Sequence, residues 1–229
     1  MKTLFEVADV IRGDGKWMRG YEADPGVVGR TYNVNGRVCD PTTTPNPSGA
    51  HGLADYDPFV VETKQKFSTL CEPDAADKST TDDLDAATEY LVGKQFWTGA
   101  AEDWDGSAFL DHADVSTVAA GADTVASIAA ALQKAYDDAP SLFGEAVVHL
   151  GVTASLSLPS GFAEDHPNVT FVENAGYPTS GIAVTGAVKV YLGDVQTIGL
   201  VDQATNDVLS YASRFATVEF DPRLAVRVA

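Results

Sequence analysis

The sequence predicts an α+β domain, and three features carry that reading. The run TDDLDAATEYLVGKQFWTG, from Thr81 to Gly99, places Leu84, Ala87, Leu91 and Gln95 in one helical row, with Thr88 and Val92 beside it. A second amphipathic helix is predicted from Asp123 to Asp138, with Val125, Ile128, Leu132 and Tyr136 on one face and Pro140 as its stop. Short apolar runs then follow at Glu145–Leu150, Val169–Glu173, Ile182–Leu192, Val195–Val201 and Tyr211–Phe220, each read as a strand. Everything ahead of the first helix is irregular and punctuated by Gly and Pro.

Taken in order, Leu4–Ile11 reads as a short strand or helix closed by Gly13-Asp14-Gly15. A strand at Arg30–Val34 leads into Asn35-Gly36, a pair that favours a tight hairpin. Pro41–Gly52, PTTTPNPSGAHG, is turn-rich and reads as a mobile loop. Phe59–Leu70 alternates as a strand does, with a bend near Lys64, and EPDAADKST reads as a flexible acidic link. Thr81 is then placed as the N-cap of the first helix, because its hydroxyl can accept from an orphan N–H. Asp82, Asp83 and Asp85 follow at the positive end of the helix dipole. Phe96 and Trp97 put aromatic surface at the far end, and Gly99 can terminate the helix. Ala100–Ala120 is mixed, with Trp104, Phe109 and Leu110; Pro159–Pro167 is loop; Asn174–Gly181 is a Gly/Pro loop; and Asp221-Pro222 ends the last strand.

Composition narrows the function classes. A chain of 229 residues is one domain, or one domain with an extension, and it can bury roughly 70% of its unfolded surface. It has 15 basic and 33 acidic residues, a formal charge of −18. Such a surface repels phosphate backbones, which argues against sequence-directed nucleic-acid binding. With 45% hydrophobic residues, the charge is not a sign of disorder. No run approaches the roughly 18 apolar residues that a membrane helix needs. Glu6 and Asp9 stand where a signal peptide needs its apolar stretch, which predicts a chain made and kept in the cytosol, or released by lysis. Cys39 and Cys71 form no C-x-x-C pair; free thiols are the default reading and a disulfide is the alternative.

The chemistry-bearing motifs are sparse. There is no phosphate-binding loop, no G-x-G-x-x-G turn and no H-E-x-x-H, and Gly151-Val152-Thr153-Ala154-Ser155 misses the G-x-S-x-G elbow. Of His51, His112, His149 and His166, His149 lies inside an apolar strand, where a satisfied core histidine is expected. Asp111-His112-Ala113-Asp114, preceded by Glu102-Asp103 and Asp105, is the densest polar group. Two carboxylates around an imidazole can hold a divalent cation or do acid–base work. In so acidic a chain such a cluster is expected by chance, and the preferred reading is a solvated loop. No catalytic, cofactor-binding or metal-binding residue is assigned, and a metal-dependent hydrolase using Asp111, His112 and Asp114 stands as an alternative. The aromatics do not interleave with basic residues, so a platform for stacking single-stranded bases is disfavoured.

The run PFVVETKQKFSTLCEP, followed by a helix ending in QFWTG, resembles the middle of the head proteins of phages that infect actinobacteria. The order of later features agrees: a helix like Ser127–Tyr136, a strand like Glu145–Leu150, and a loop like Asn174–Gly181. Thr185-Gly186 then lies within the strand IAVTGAVKVY, and a closing strand follows Asn206 and ends near Asp221-Pro222. The resemblance covers roughly residues 58 to 222 and is to the major capsid proteins of tailed phages, whose Hong Kong 97-type capsid fold is shared by encapsulins. It implies an N-terminal arm and extended loop over 1–57, and a spine helix and peripheral domain over 58–146. An axial domain over 147–200 and a return strand of the peripheral domain with the C-terminus over 201–229 complete the division. Thr81–Gly99 would be the spine, although short for one.

What the resemblance implies for function is a virion structural protein, the major capsid subunit, which self-assembles into an icosahedral shell around the phage double-stranded DNA. Its partners would be copies of itself in pentamers and hexamers, with scaffold, portal and decoration proteins from other genes. DNA would be enclosed without sequence-specific binding, no membrane would be involved, and no enzyme activity or cofactor is implied. The subunit would be made in the host cytoplasm and end in the virion. An arm that orders only on its neighbours suits the composition of residues 1–57. An encapsulin-like compartment shell and a minor head or head-to-tail joining protein are the alternatives.

Candidate subunit-contact residues come from the loop NAGYPTSG and the end of the spine: Gly176, Tyr177 and Pro178, with Phe96 and Trp97. By resemblance the loop is axial. In a closed ring each charge near the axis is repeated by every subunit and repels its copies. No residue from Asn174 to Val188 is charged, and Gly176, Pro178 and Gly181 permit tight turns at a crowded tip. Tyr177 is expected to face the axis. The competing reading is an ordinary loop feeding a core strand; Ala146–Ala163, equally free of carboxylates and basic side chains, is read as buried.

Overall fold

The computed structural model describes residues 1–13, 59–68, 73–99, 108–140, 146–202 and 207–229. Several expectations lie outside them: the strand Arg30–Val34, the Asn35-Gly36 hairpin and the loop Pro41–Gly52. Cys39, Cys71, His51, Asn206 and the run Glu102-Asp103-Trp104-Asp105 lie outside them too.

The fold is α+β, with two five-stranded sheets. The first is built on the longest strand, β9 (Asp207–Glu219). β2 (Phe59–Ser68) runs antiparallel to it from Phe59↔Ala216 to Ser68↔Asp207. The pairing passes through Lys64↔Tyr211 residue for residue, so the bend expected there does not interrupt the ladder. On its other side β9 pairs first with β8 (Gln196–Asp202) and then with β7 (Lys189–Leu192), both antiparallel. β1 (Asp9–Arg12) joins β7 in parallel.

A long helix, α2 (Pro73–Thr98), packs along the inward face of β2 and β9. Its 26 residues make it about 39 Å long. It begins at Pro73, not at Thr81, so the link read as flexible is its first turns. Proline is tolerated there because a first-turn N–H has no helical partner to lose. Thr81 is therefore interior, and its hydroxyl donates to the carbonyl of Asp77 at 2.8 Å instead of capping. Thr80, Thr88 and Thr98 bond back one turn in the same way, which satisfies a hydroxyl without leaving the helix. Of the predicted row Leu84, Leu91 and Gln95 are buried and Ala87 is half-buried, and Thr88, Val92 and Phe96 beside it are buried too. The helix stops at Gly99, which takes φ 67, the left-handed geometry that glycine adopts without steric cost. Ser210, Ala212 and Ala216 on β9 are small and buried, and let the helix approach. Ser210 Oγ donates to Asp77 Oδ1 at 2.7 Å, and the buried Arg214 meets Asp85 at 2.6 Å.

The second sheet has the order β3 (Ser116–Val118), β10 (Val226–Val228), β6 (Ile182–Thr185), β4 (Ala146–Leu150), β5 (Val169–Glu173). Every residue of β4 is buried, because both faces of the sheet are covered. Val148, Leu150, Ile182 and Val184 face α3 (Thr124–Asp138), whereas Val147, Val172 and Ala183 join the core around the end of α2. The N-cap of α3 is Asp123, whose carboxylate accepts from Ala126 N at 2.8 Å. The buried stripe of α3 is Ser127, Ile128, Ala131 and Ala135; Val125, Leu132 and Tyr136 flank it half-exposed. The stripe is rotated from the expected one because alanines at the centre let the helix lie close to the sheet.

The segment Ile182–Leu192 is not one strand. It breaks at Gly186-Ala187-Val188, with β6 in the second sheet and β7 in the first. The segment 147–200 therefore contributes strands to both sheets. The start of the expected arm is likewise part of the subunit: α1 (Leu4–Val7) buries Leu4, and Phe5 N donates to Glu89 Oε1 on α2 at 2.9 Å. Lys2 exchanges backbone bonds with β5, donating to Phe171 and accepting from Glu173. A core for these residues comes from α2 and β5, which composition alone could not reveal. The one-turn helices α4 (Val152–Leu156) and α5 (Phe162–Asp165), with 3-10 turns at Phe109–Asp111 and Pro222–Leu224, complete the described fold. No helix among the described residues is long and apolar enough to cross a membrane.

Candidate functional site

The loop after β5 is docked from three directions. Asn174 is buried; its Oδ1 accepts from Gly176 N at 2.7 Å and its Nδ2 donates to the carbonyl of Glu89 on α2 at 3.1 Å. Gly93 on α2 and Gly176 in the loop make this possible. A Cβ on Gly93 would lie 2.4 Å from Asn174 Oδ1, and one on Gly176 would lie 2.1 Å from the carbonyl oxygen of Tyr90. From the other side, Thr153 N and Ala154 N donate to the Thr179 carbonyl at 2.7 and 3.1 Å, and Gly151 N to that of Gly181 at 2.9 Å. The loop carbonyls thereby satisfy orphan N–H groups at the start of α4.

Inside, Tyr177 inserts among Phe96, Trp97 and His149, with ring centroids 6.2, 5.0 and 5.7 Å away. His149 Nδ1 lies 3.0 Å from Tyr177 Oη and Nε2 lies 2.9 Å from Thr185 Oγ1, while Thr185 donates to the Gly186 carbonyl at 2.8 Å. Only one proton arrangement satisfies all four groups. Tyr177 O–H donates to Nδ1, Nε2–H donates to Thr185 Oγ1, and the imidazole is neutral. Burial drives the His149 pKa from 6.5 down to about 3. Burial, and then the charge of Glu89, push the Tyr177 phenol well up. His149 is the satisfied core histidine that its strand predicted.

This geometry corrects the expected contact residues. Phe96, Trp97 and Tyr177 are only 0%, 5% and 3% exposed, and Gly176 is buried with them. Tyr177 does not face outward, because its ring completes the core at the end of α2. Of the expected residues only Pro178 reaches the surface, half-exposed beside the exposed Ala175, Thr179 and Ser180. The second correction concerns Ala146–Ala163. β4 is buried, but Thr153, Leu156, Ser157, Pro159, Ser160 and Gly161 are exposed, Leu156 by 80%. The hydrogen bonds between α4 and the loop thus join two uncharged surfaces into one rim, on a subunit of formal charge −18. Glu173 touches this group and is held by the Ser155 hydroxyl. The absence of charge in both segments was readable; that one-turn helices turn the first segment outward was not.

Asp111, His112 and Asp114 do not converge. Asp111 pairs with Arg227 on β10. His112 Nδ1 accepts from Asp114 N at 3.1 Å, and its ring is 3.9 Å from the Asp114 carboxylate. Asp111 and Asp114 are more than half exposed as side chains. Among the described residues no three His, Cys, Asp or Glu side chains are grouped to hold a metal ion.

No family profile and no curated protein matches the sequence. Solved structures do. The capsid of an empty GTA particle superposes with a TM-score of 0.58 at 12% identity, over 99% of this chain and 88% of that one. A virus-like particle from Pyrococcus furiosus gives 0.54 at 13% identity, over 76% of each chain. The capsid of Myoviridae phage XM1 gives 0.50 at 12%, over 76% of this chain and 73% of that one. At such identities the likeness is one of fold, and the fold is that of these shell subunits.

Proposed function

We propose that this chain, which has the Hong Kong 97-type capsid fold, is a major capsid subunit of a tailed phage. Copies of it build an icosahedral shell around the double-stranded DNA, and the subunit works as a building block with no catalytic role. The observation that carries the reading is the shared architecture: a long helix laid across a long-stranded sheet, joined to a second sheet covered on both faces. The division into an arm with extended loop (1–57), spine and peripheral domain (58–146), axial domain (147–200) and return strand (201–229) belongs to this proposal.

The rim formed by Ala175, Pro178–Ser180 and the exposed side of α4 is the contact we assign to the ring of subunits. It is uncharged and rigidly supported, and a like charge there would be repeated by every copy. Leu156 supplies exposed apolar surface that a neighbour would cover. Sedimentation of the purified chain tests the function: the reading requires species of many subunits, and Leu156→Asp, at a position outside the core, should suppress them while leaving the fold intact. A second reading, a shell enclosing cargo other than a phage genome, is favoured by the likeness to the Pyrococcus furiosus virus-like particle. The contents of particles recovered from cells separate the two.

A further inference from the structure

We propose that Asn174 is the positioning residue of the ring contact: its side-chain amide fixes the uncharged rim to α2, and without that tie the subunit folds with the rim out of place. The proposal rests on the assignment of the rim as the contact between subunits. Each of the four polar atoms of Asn174 is used, and together they reach β4, the loop and α2. Its N–H donates to the Leu150 carbonyl at the end of β4 at 3.4 Å, and its carbonyl accepts from Tyr177 N at 3.1 Å. In the side chain, Oδ1 closes the turn at Gly176, and Nδ2 leaves the loop to donate to the Glu89 carbonyl on α2.

Glu89 lies inside α2, where its carbonyl already serves the helix's own ladder. The Asn174 bond is an addition, made on the second lone pair of that oxygen, and the helix does not need it. α2 nevertheless gives way to it. Gly93 is the one glycine between Pro73 and Thr98, and glycine weakens a helix interior. The three atoms nearest a Cβ built there all belong to the Asn174 side chain, at 2.4, 2.6 and 2.8 Å. The glycine thus clears room for this amide. Gly176 matches it from the loop, where a Cβ would stand 2.6 Å from Lys94 N. Beyond Asn174 the chain leads to Ala175 and, past the buried Tyr177, to Pro178–Ser180. The Thr179 carbonyl there holds the start of α4 through Thr153 N and Ala154 N. A loop shifted off α2 would carry α4, and Leu156 with it.

The test compares the parent with Asn174→Ser, Gly93→Ala, their double variant and Ser210→Ala. Serine keeps an oxygen that can accept from Gly176 N but cannot reach Glu89. Alanine at position 93 expels the amide from the other side while improving the helix. Ser210→Ala breaks the bond to Asp77, about 18 Å along α2 from Glu89, and controls for lost stability alone. Circular dichroism and urea midpoints follow folding, sedimentation follows assembly, and hydrogen exchange follows the Thr153 and Ala154 amides. Asn174→Ser and Gly93→Ala should each fold, exchange these two amides roughly tenfold faster than the parent, and need roughly tenfold more protein to assemble. The double variant should be no worse than Asn174→Ser, because the amide that Gly93 admits is already gone. Ser210→Ala should lower the urea midpoint and leave both amides and assembly as in the parent. If one single variant does not fold, the other decides alone. Parent-like assembly or parent-like exchange in the single variants, or a further loss of assembly in the double variant, overturns the proposal while leaving the shell reading intact. So does an equal loss of assembly in Ser210→Ala, or a failure of both single variants to fold, since either makes Asn174 a stability residue only. A parent that stays monomeric overturns both readings.

Discussion

The imidazole of His149, in the middle of β4, accepts a hydrogen bond from the phenol of Tyr177, 3.0 Å away in the loop after β5. This contact fastens the outer loop to the centre of the second sheet. The burial of His149 also makes folding stability depend on pH. His149 titrates near 3 in the folded chain and near 6.5 when unfolded. Between those values the unfolded state binds a proton that the folded state does not, so stability falls as pH falls from about 6.5 towards 3. Each pH unit in that window costs about 1.4 kcal/mol. Urea unfolding at pH 7 and pH 5 should show this slope in the parent, added to whatever the carboxylates contribute, and His149→Gln should flatten it. An unchanged slope in the variant would mean that His149 is not the buried neutral group described above.

The loop is held by backbone contacts that only glycine allows. A Cβ on Gly151 would meet the Pro178 carbonyl oxygen at 1.8 Å, and neither partner is a side chain that can swing away. Gly151→Ala should therefore cost about 1–3 kcal/mol in urea unfolding and displace the Pro178–Ser180 rim, so that assembly suffers as well. Gly161→Asn is the control: Gly161 has φ 79 with open space around it, a geometry asparagine tolerates. That variant should cost about 1 kcal/mol or less, clearly less than Gly151→Ala.

The two helix starts make opposite predictions. Asp123 caps α3 through Ala126 N, so Asp123→Ala should cost about 1 kcal/mol. Thr81 lies inside α2, where alanine is the better helix former, so Thr81→Ala should be neutral or slightly stabilising. Thermal unfolding of both variants checks the pair. A Thr81→Ala loss as large as that of Asp123→Ala would put the start of α2 back at Thr81.

Much of this fold was legible because its main elements are periodic over many residues. The buried residues Leu84, Leu91 and Gln95, the start of α3 near Asp123 and the strands β2, β4, β5 and most of β9 follow from side-chain spacing, and the stop of α2 follows from Gly99; β9 starts at Asp207, four residues before the expected Tyr211. Three things were hidden. Pro73 and the acids after it look like a link, yet the same residues suit a helix start. The three-residue strands β3 and β10 and the one-turn helices α4 and α5 are too short to leave a period. The inward turn of Tyr177 depends on His149 and Thr185, which are distant in sequence. The lack of charge across Asn174–Val188 was readable, but the outward residues of this loop are Ala175, Thr179 and Ser180, not the aromatics.

The central claim is that copies of this chain close on themselves, and negative-stain electron microscopy of the purified chain examines it most directly. The account predicts rings of subunits or closed, rounded shells of uniform diameter, which disappear in Leu156→Asp while its circular dichroism matches that of the parent. A field of isolated monomers at every protein and salt concentration, from a parent chain that is folded, would contradict it.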